Sequence, residues 1–293
     1  MNKFHGTGVA LVTPFYDDLR IDFDGLKKLL DYTADNGVDY LVVQGTTGES
    51  NTVTSQEKRE ILEFVKNNNP KHLPIVYGIG GNNTYDVIDQ IKAADLHGVD
   101  AILSVSPYYN KPSQEGIYQH YVAIADASPV PVILYNVPGR TASNIQAKTI
   151  LRLASHPNII GVKEAAGDME QAMTISKNKP DDFLLISGDD MLTVPMYAIG
   201  SVGVISVLAN GFPDVFREMK IATMENDYAR ASQAAFRLID INPLMYVESN
   251  PVGIKHVLKE QGICNNYVRM PLVAASEDLV NKIRIALKEG MPV

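Results

Sequence analysis

Eight short apolar runs recur along the first three quarters of the chain, and this repetition limits its possible folds more than any other feature. The runs cover residues 8–13, 40–44, 75–80, 101–106, 132–136, 159–163, 183–187 and 203–207. Most of them are nearly continuous in Val, Ile and Leu and do not alternate with polar residues. Such runs are typical of parallel strands that are buried on both faces. The chain is therefore predicted to be built on a parallel sheet.

Helical patterns fill the intervals between these runs. In the first interval, the residues that share one helix face are Leu26, Leu29, Leu30 and Thr33. Asp22 is a suitable N-cap for that helix, and Gly37 can end it. Thr54 and Glu57 have the spacing of a capping box at the start of a second helix. Later helices are predicted to begin after Asn83-Thr84, after Ser113 and after Gln146.

Eight strands joined by seven helical links predict an α/β fold, a (β/α)8 TIM barrel in which helices surround a closed parallel sheet. The alternative is a doubly wound open sheet, which usually has fewer strands and a glycine fingerprint after the first strand. That fingerprint is missing here, because Pro14-Phe15 follow the first run. The length of 293 residues is compatible with one barrel, since α/β barrels run to roughly 250 residues as one domain.

Strand patterns end near residue 213, and the remaining sequence has helical patterns. We therefore predict a (β/α)8 catalytic barrel over residues 1–215 and a C-terminal all-helical region over residues 216–293. The helices of this region are expected over 219–239, 252–260 and 277–288, with Gly262 and Gly290 ending the last two.

The segment 191–213 carries no charge, and its length would span a bilayer. It also contains Pro195, Gly200 and Gly203, so we interpret it as a short helix, a turn and a buried strand. The first residues, 1–5, lack the apolar run of a secretory signal. We expect a cytoplasmic enzyme that has no membrane partner.

The charge balance argues against a nucleic-acid partner. The chain has 26 basic and 34 acidic residues, a formal net charge of −8, and no basic stripe that would follow a phosphate backbone. Cys264 is the only cysteine, which excludes an intrachain disulfide and a thiolate metal cluster. The six histidines are scattered without the spacing of metal ligands, so no metal site is predicted.

In a parallel barrel, chemistry takes place where the strands end and the next loops begin. Lys163 is the most distinctive residue at those ends, because it directly follows the apolar residues 159–162. Apolar surroundings disfavour the ammonium form, and the free amine can attack a carbonyl to form a Schiff base. The alternative is a lysine that reaches from the strand end to water, and spacing alone favours that alternative.

Other polar side chains follow neighbouring strands. Tyr135 could pass protons to a substrate oxygen, or it could be a core aromatic residue with its hydroxyl at the rim. The pair Tyr108-Tyr109 has the same ambiguity. Thr46-Thr47 lie in a loop of small residues that suits a carboxylate, although an ordinary turn has the same composition. Arg140 could clamp a second carboxylate with its planar guanidinium, or it could be a solvated loop arginine.

Other enzyme classes fit the strand ends less well. A barrel glycosidase needs two facing carboxyl groups. The candidates are Glu49, Glu164, Asp189 and Asp190, but the fourth strand supplies none. A metal-dependent aldolase would need histidine ligands at the strand ends, and the scattered histidines do not supply them. The chain also has no Gly-x-Ser-x-Gly nucleophile elbow and no Gly-Lys-Ser/Thr phosphate loop.

Five motifs follow the predicted strands. They are Gly45-Thr46-Thr47-Gly48-Glu49, Pro107-Tyr108-Tyr109-Asn110-Lys111-Pro112, Tyr135-Asn136-Val137-Pro138-Gly139-Arg140-Thr141, Gly161-Val162-Lys163-Glu164-Ala165 and Ser187-Gly188-Asp189-Asp190. Together they resemble the dihydrodipicolinate synthase and N-acetylneuraminate lyase family. The resemblance extends from Gly8 to the helical tail, and it is strongest for the synthase branch.

The resemblance implies a metal-free and cofactor-free class I reaction. Pyruvate and L-aspartate 4-semialdehyde would condense to 4-hydroxy-tetrahydrodipicolinate, the first committed step of lysine and diaminopimelate biosynthesis. By resemblance, Lys163 forms the Schiff base with pyruvate, and Tyr135, Thr46 and Tyr109 form a proton relay. Tyr109 would act in the site of a neighbouring subunit. The family's assembly, a homotetramer built as a dimer of dimers, is expected here too.

The resemblance also assigns the substrate contacts. Thr47 and the backbone near Gly188 and Ile205 match pyruvate contacts, and Arg140 matches the group that holds the carboxylate of the semialdehyde. N-acetylneuraminate lyases and keto-deoxy-sugar aldolases usually lack that arginine, so Arg140 favours the synthase. Two alternatives stay open: the same chemistry on a sugar-acid aldehyde, and a non-catalytic barrel that only binds a keto acid. The presence of all four relay and nucleophile residues disfavours the second.

In family members that lysine inhibits, a second site at the dimer interface binds lysine. The corresponding residues here are Ser50, Asn51, Ser55, Lys58, Asn82, Asp86 and Tyr108. Ser55 and Lys58 stand where sensitive bacterial enzymes tend to carry histidines, and Asp86 stands where they carry glutamate. Lys58 would repel a cationic ligand by about 1 kcal/mol. We predict that lysine inhibits weakly or not at all.

Overall fold

The computed structural model describes residues 3–289 of the chain. Within them, eight strands follow one another in a closed barrel in the order β1 to β8. The strands are β1 (Gly6–Ala10), β2 (Tyr40–Val43), β3 (Ile75–Gly78), β4 (Ala101–Val105), β5 (Val132–Asn136), β6 (Ile159–Glu164), β7 (Leu184–Ser187) and β8 (Gly203–Ser206). Every predicted run contributes one strand, so the predicted TIM barrel is confirmed and the open doubly wound sheet is wrong.

The observed and predicted strand bounds differ most at β1. The strand was expected over 8–13, but it ends at Ala10. The cause lies in the hydrogen bonds, because the backbone N–H of Val12 donates to Oδ1 of Asn210 at 3.2 Å and not to a neighbouring strand.

Helices occupy every interval between the strands and continue after β8. Those within the barrel sequence are α1 (Phe23–Asp35), α2 (Ser55–Asn68), α3 (Thr84–Ala93), α4 (Gln114–Ala127), α5 (Pro138–Thr141), α6 (Ala147–Leu153), α7 (Met169–Asn178) and α8 (Thr193–Ala198). Those after β8 are α9 (Pro213–Met224), α10 (Tyr228–Phe236), α11 (Val252–Glu260) and α12 (Glu277–Glu289). Helix α8 and strand β8 confirm the interpretation of the uncharged segment 191–213. Among the described residues, no helix is long and apolar enough to cross a membrane.

The predicted caps are present at the first two helices. Oδ1 of Asp22 accepts the N–H of Gly25 at 2.8 Å, which caps α1. Thr54 and Glu57 form the reciprocal capping box of α2, each accepting the other's backbone N–H. Gly37 follows α1 with a φ of +99°, a left-handed conformation that favours glycine.

The single helix predicted over 219–239 is wrong. The chain forms two helices there, α9 and α10, separated by Glu225, Asn226 and Asp227. Asn226 has a φ of +61°, which ends α9, and Oδ1 of Asp227 accepts the N–H of Arg230 at 2.9 Å, which starts α10. Asn and Asp are the residues that tolerate such conformations and caps. The predicted helix end at Gly290 lies outside the described residues.

By their contacts the residues form two compact units. One covers residues 74–205 and buries side chains such as Ile102, Leu134 and Val162 completely. The other joins the N-terminal residues up to 73 with those from 206 onward, and it has its own buried side chains, such as Leu29 and Val215. The division predicted from the sequence, with a barrel to residue 215 and a helical region beyond it, stays a prediction.

Candidate active site

The ends of β5 and β6 place the two most distinctive predicted residues side by side. In the register of these strands, Tyr135 is opposite Lys163 and Asn136 is opposite Glu164. Successive residues of a strand point to opposite faces of the sheet. Tyr135 and Lys163 therefore share one face, and Asn136 and Glu164 share the other.

Lys163 is buried, with 6% of its surface exposed. Its Nζ lies 4.3 Å from the centroid of the Tyr135 ring. Within residues 74–205, no carboxylate lies within ion-pair distance of this amine. An aromatic face attracts an ammonium only weakly compared with a carboxylate. Within this unit the amine is therefore not engaged in an ion pair, as suits a Schiff-base nucleophile.

Gly188 follows β7 and brings its backbone close to Lys163. A Cβ atom at this position would lie 2.5 Å from Cβ of Ala165 and 3.1 Å from Cε of Lys163. The N–H of Gly188 donates to the carbonyl of Glu164 at 2.7 Å, which ties β7 to the end of β6. A larger residue would collide with Ala165 and crowd the lysine stem, so the close approach requires glycine here.

Glu164 belongs to a buried polar network on the opposite face of the sheet. Both of its carboxylate oxygens accept from Nδ2 of Asn136 at 3.0 Å, and Oε2 also accepts from Nε2 of Gln171 at 3.0 Å. The N–H of Ala166 donates to Oε1 at 2.7 Å. Burial raises the pKa of the Glu164 carboxyl, and these hydrogen bonds oppose the increase. The network fixes the ends of β5 and β6 relative to α7.

Sequence reasoning missed this network. It treated Glu164 only as one of four candidate carboxyl groups, and it gave no role to Asn136 or Gln171. The available signal was a pair of polar residues, Asn136 and Glu164, each ending an apolar strand. Buried polar groups at such positions need partners, and these two are partners of each other.

Arg140 lies in α5, a single helical turn that begins with Pro138. Its side chain is exposed, and within residues 74–205 its guanidinium makes no ion pair. The turn is fixed by its neighbour Thr141, which is buried and whose hydroxyl donates to the carbonyl of Ser143 at 2.7 Å. Arg140 therefore has its five donors available for a ligand carboxylate.

Tyr109 stands on an exposed loop after β4. Its side chain is 88% exposed, and its φ is +73°, an uncommon conformation for a bulky residue. The loop is tied to the loop after β3, because Nδ2 of Asn82 donates to the carbonyl of Tyr108 at 3.2 Å and Nδ2 of Asn110 donates to the carbonyl of Asn82 at 2.9 Å. Asn82 and Tyr108, two predicted lysine-site residues, thus lie together.

The other unit contains the threonine loop. Thr46 to Gly48 form a short 3-10 turn that begins three residues after the end of β2. Thr47 is buried, and its Oγ1 accepts from Nδ2 of Asn250 at 2.9 Å. Because this oxygen accepts the amide hydrogen, the hydroxyl hydrogen of Thr47 can be donated to another group. Asn250 was not among the predicted site residues.

Four further predicted lysine-site residues lie in this same unit. Ser50 and Asn51 follow the threonine turn, and Ser55 and Lys58 lie in the first turn of α2. Lys58 is half-buried, and burial lowers the pKa of its ammonium below the ordinary value. The remaining one, Asp86, lies in the first turn of α3, where its carboxylate accepts from Nδ2 of Asn83 at 2.9 Å.

Three of the four carboxyl groups considered for a glycosidase are engaged elsewhere. Glu164 is held by its amide network, and Oδ1 of Asp189 accepts the backbone N–H of Met191 at 2.9 Å. Glu49 is buried and pairs with Lys255. Within residues 3–289, no group of three or more His, Cys, Asp or Glu side chains is arranged to hold a metal ion.

Comparison with known proteins identifies the family. A sequence model of the dihydrodipicolinate synthetase family matches residues 3–290. The 4-hydroxy-tetrahydrodipicolinate synthase of Cytophaga hutchinsonii is 53% identical over 286 residues, which cover 98% of this chain and 96% of that protein.

Solved structures agree with that result. Dihydrodipicolinate synthase from Bacillus anthracis is 38% identical with a TM-score of 0.96, and each chain covers 100% of the other. The chloride-inhibited dihydrodipicolinate synthase from Acinetobacter baumannii, solved in complex with pyruvate, is 37% identical with a TM-score of 0.94 and 98% coverage of both chains. The chain belongs to the dihydrodipicolinate synthetase family.

Proposed function

We propose that this chain condenses pyruvate with L-aspartate 4-semialdehyde to 4-hydroxy-tetrahydrodipicolinate, through a Schiff base on Lys163. It is thus a lyase of the Schiff-base aldolase type in lysine and diaminopimelate biosynthesis. The observation that carries the proposal is the buried amine of Lys163, which stands against the Tyr135 ring at a strand end. The family membership of the whole chain supports it.

The chemistry begins with the amine. Nζ of Lys163 attacks the keto carbon of pyruvate, and the oxygen leaves as water to give an imine. Loss of a methyl proton converts the imine to an enamine, whose carbon attacks the aldehyde. The amino group of the semialdehyde then attacks the former keto carbon, which closes the ring and releases the lysine amine.

These steps require proton transfers near the imine. Tyr135 is proposed as the group that moves them, since its ring lies against Lys163. The family resemblance adds Thr46 and Tyr109 to the relay, with Tyr109 supplied by a neighbouring subunit. The 88% exposure of the Tyr109 side chain supports this, because its own unit leaves it free to enter another subunit. We therefore propose a homotetramer built as a dimer of dimers.

The substrate carboxylates need donors. We propose that Thr47, Gly188 and Ile205 line the pyruvate subsite, as in the family. The hydroxyl of Thr47 is suited to donate to a carboxylate, because Asn250 already donates to its oxygen. Arg140 would hold the carboxylate of the semialdehyde with its free guanidinium. We place the reaction in the cytoplasm, where amino-acid biosynthesis draws on pyruvate.

The first experiment measures pyruvate consumption by the purified chain with two aldehydes. L-Aspartate 4-semialdehyde is added to one reaction and N-acetylmannosamine to the other. Turnover with the semialdehyde alone is expected. Turnover with the sugar alone would retain the Lys163 mechanism but overturn the assigned substrate, and turnover with neither would overturn the proposal.

We also propose that lysine is a weak inhibitor or none. The support is Lys58, whose half-buried cation would face a cationic ligand at the family's lysine site. Initial rates at increasing lysine concentration test this, and half-inhibition at sub-millimolar lysine would overturn it. In Lys58→Gln the repulsion is removed, so inhibition should strengthen by about fivefold, the equivalent of about 1 kcal/mol. Lys66→Gln, on the same helix but outside the candidate site, is the control.

A further inference from the structure

A second buried lysine lies in α11, far from Lys163 in sequence. Lys255 has no exposed surface, and it interrupts an apolar helix face. Its Nζ donates to Oε1 of Glu49 at 2.5 Å and to the carbonyl of Tyr267 at 2.7 Å, and it lies 4.1 Å from the centroid of the Phe15 ring. The ammonium is therefore fixed by two acceptors and an aromatic face.

Glu49 is the residue that ends the Thr46–Gly48 turn. Its φ is +54°, and its N–H donates to the carbonyl of Thr46 at 3.1 Å. One side-chain oxygen accepts from Lys255, and the other accepts the backbone N–H of Arg269 at 3.0 Å. Glu49 thus joins the backbone of the threonine turn to the segment around α11.

The same segment contacts the turn at a second point. Asn250, just before α11, donates to the hydroxyl oxygen of Thr47. Arg269 adds further contacts, because its guanidinium donates to the carbonyls of Leu19 and of Thr52, which lies three residues after Glu49. The segment around α11 therefore holds the threonine turn at two points. Lys255 binds Glu49, whose backbone continues the turn, and Asn250 binds the side chain of Thr47.

A buried ion pair often contributes little to the net stability of a fold. The two charges lose their hydration, and apolar residues of similar size often stabilise equally well. Burial lowers the pKa of the Lys255 ammonium, and the Glu49 carboxylate opposes that lowering. Charge-assisted hydrogen bonds have a defined direction, which apolar contacts lack. They therefore fix the position of Glu49, the residue that carries the carboxylate.

We propose that Lys255 is a positioning residue, which holds the Thr46–Thr47 turn in its reactive geometry through Glu49. This inference rests on the proposed roles of those threonines. Lys255 touches no substrate in this scheme. Its loss should impair proton transfer at the imine more than formation of the imine itself, since misplacing a reacting group by about 1 Å can reduce a rate about 100-fold.

The test compares Lys255→Met with Lys259→Met, an exposed lysine on the same helix. Two steps are measured on pyruvate alone: borohydride trapping of the imine on Lys163, and exchange of the pyruvate methyl hydrogens in D2O, followed by proton NMR. We expect Lys255→Met to trap pyruvate with a yield near that of the unsubstituted chain and to exchange about 10- to 100-fold more slowly. Lys259→Met should match the unsubstituted chain in both.

A second variant separates positioning from stability. Lys255→Met leaves the buried Glu49 carboxylate without its ion-pair partner, so it lowers the melting temperature and could prevent folding. The double variant Glu49→Gln/Lys255→Met removes both charges and should regain much of the melting temperature. Slow exchange in the stable double variant supports the proposal. Exchange at the unsubstituted rate in either variant overturns it and leaves Lys255 with a structural role only.

The outcomes also separate this inference from the proposed function. If the unsubstituted chain neither traps pyruvate nor exchanges its methyl hydrogens, both are overturned. If it traps and exchanges but does not consume the semialdehyde, the substrate assignment alone is wrong. The exchange measurements on the Lys255 variants then still decide the inference.

Discussion

The end of β6 and the middle of α11 each contain a buried lysine with a different neighbourhood. Lys163 and Lys255 both interrupt apolar runs, and both place Nζ near an aromatic ring, 4.3 Å from the Tyr135 centroid and 4.1 Å from the Phe15 centroid. They differ in the remaining contacts. Lys255 pairs with Glu49, whereas within residues 74–205 Lys163 has no carboxylate partner.

This difference separates a reactive amine from a structural cation. Nζ of Lys255 is fully buried and already donates to a carboxylate and a carbonyl, so it is engaged where a nucleophile would have to be free. Nζ of Lys163 faces an aromatic ring, and within residues 74–205 it has no carboxylate partner. Burial alone therefore does not identify a nucleophile, and the polar partner decides the role.

Replacing the reactive amine gives the largest expected effect. Lys163→Arg keeps a positive charge but cannot form the imine, so borohydride trapping of pyruvate should disappear and turnover should fall by at least about 1,000-fold. In the unsubstituted chain, peptide mapping of the trapped adduct should find the label on Lys163. Label on Lys255, or trapping that persists in Lys163→Arg, would contradict the comparison.

The fold was largely predictable because its signal is local. Each apolar run of the barrel contributes a strand, and caps such as Asp22 depend on residues three positions away. The break between α9 and α10 was missed, although Asn226-Asp227 carry a recognisable turn and cap signal. The helical periodicity on both sides was given more weight than those two residues.

The site was less predictable because its partners are distant in sequence. The rule that singled out Lys163, a lysine interrupting an apolar run, applies equally to Lys255. The carboxylate that distinguishes Lys255 belongs to Glu49, which lies 206 positions away in sequence. Family motifs supplied Thr46, Tyr109 and Arg140, whose predicted roles no local pattern distinguishes from those of ordinary turn and loop residues.

Replacing Glu164 is expected to have an intermediate effect, and it tests whether Lys163 functions without a carboxylate partner. Glu164 adjoins Lys163 in sequence but points to the other face, toward Asn136 and Gln171. In Glu164→Gln an amide donor would face those two donors, so we expect a loss of about 1–3 kcal/mol in the free energy of unfolding. Trapping of pyruvate should persist, and kcat should fall by no more than about tenfold.

Urea denaturation and borohydride trapping check this expectation, with Glu170→Gln, an exposed carboxylate on α7, as the control. Complete loss of trapping in a folded Glu164→Gln would show that this carboxyl serves Lys163. Both buried lysines would then depend on a carboxylate, and the contrast between Lys163 and Lys255 would be wrong.

The smallest expected effect is a pH-dependent change in the free energy of unfolding. It tests the contacts that surround Lys255, the structural lysine of the comparison. Arg269, which binds Glu49 through its backbone, donates two hydrogen bonds to Glu57 at 2.6 and 2.8 Å. These bonds lower the pKa of Glu57 to about 2, from its usual value near 4.5. The folded state therefore binds this proton less readily than the unfolded chain. The stabilisation is complete above the unfolded value and is lost as the pH falls toward the folded one.

Replacing Glu57 with Gln, which does not titrate, isolates this contribution. At a fixed protein concentration, the unfolding free energy of the unsubstituted chain relative to Glu57→Gln should decrease by about 1 kcal/mol between pH 7 and pH 3.5. Glu63→Gln, on the exposed face of the same helix, should show a smaller change. A pH-independent difference would mean that Arg269 does not hold Glu57 as a charged partner. The anchoring of the threonine turn would then depend on Lys255 and Asn250 without the support of this outer ion pair.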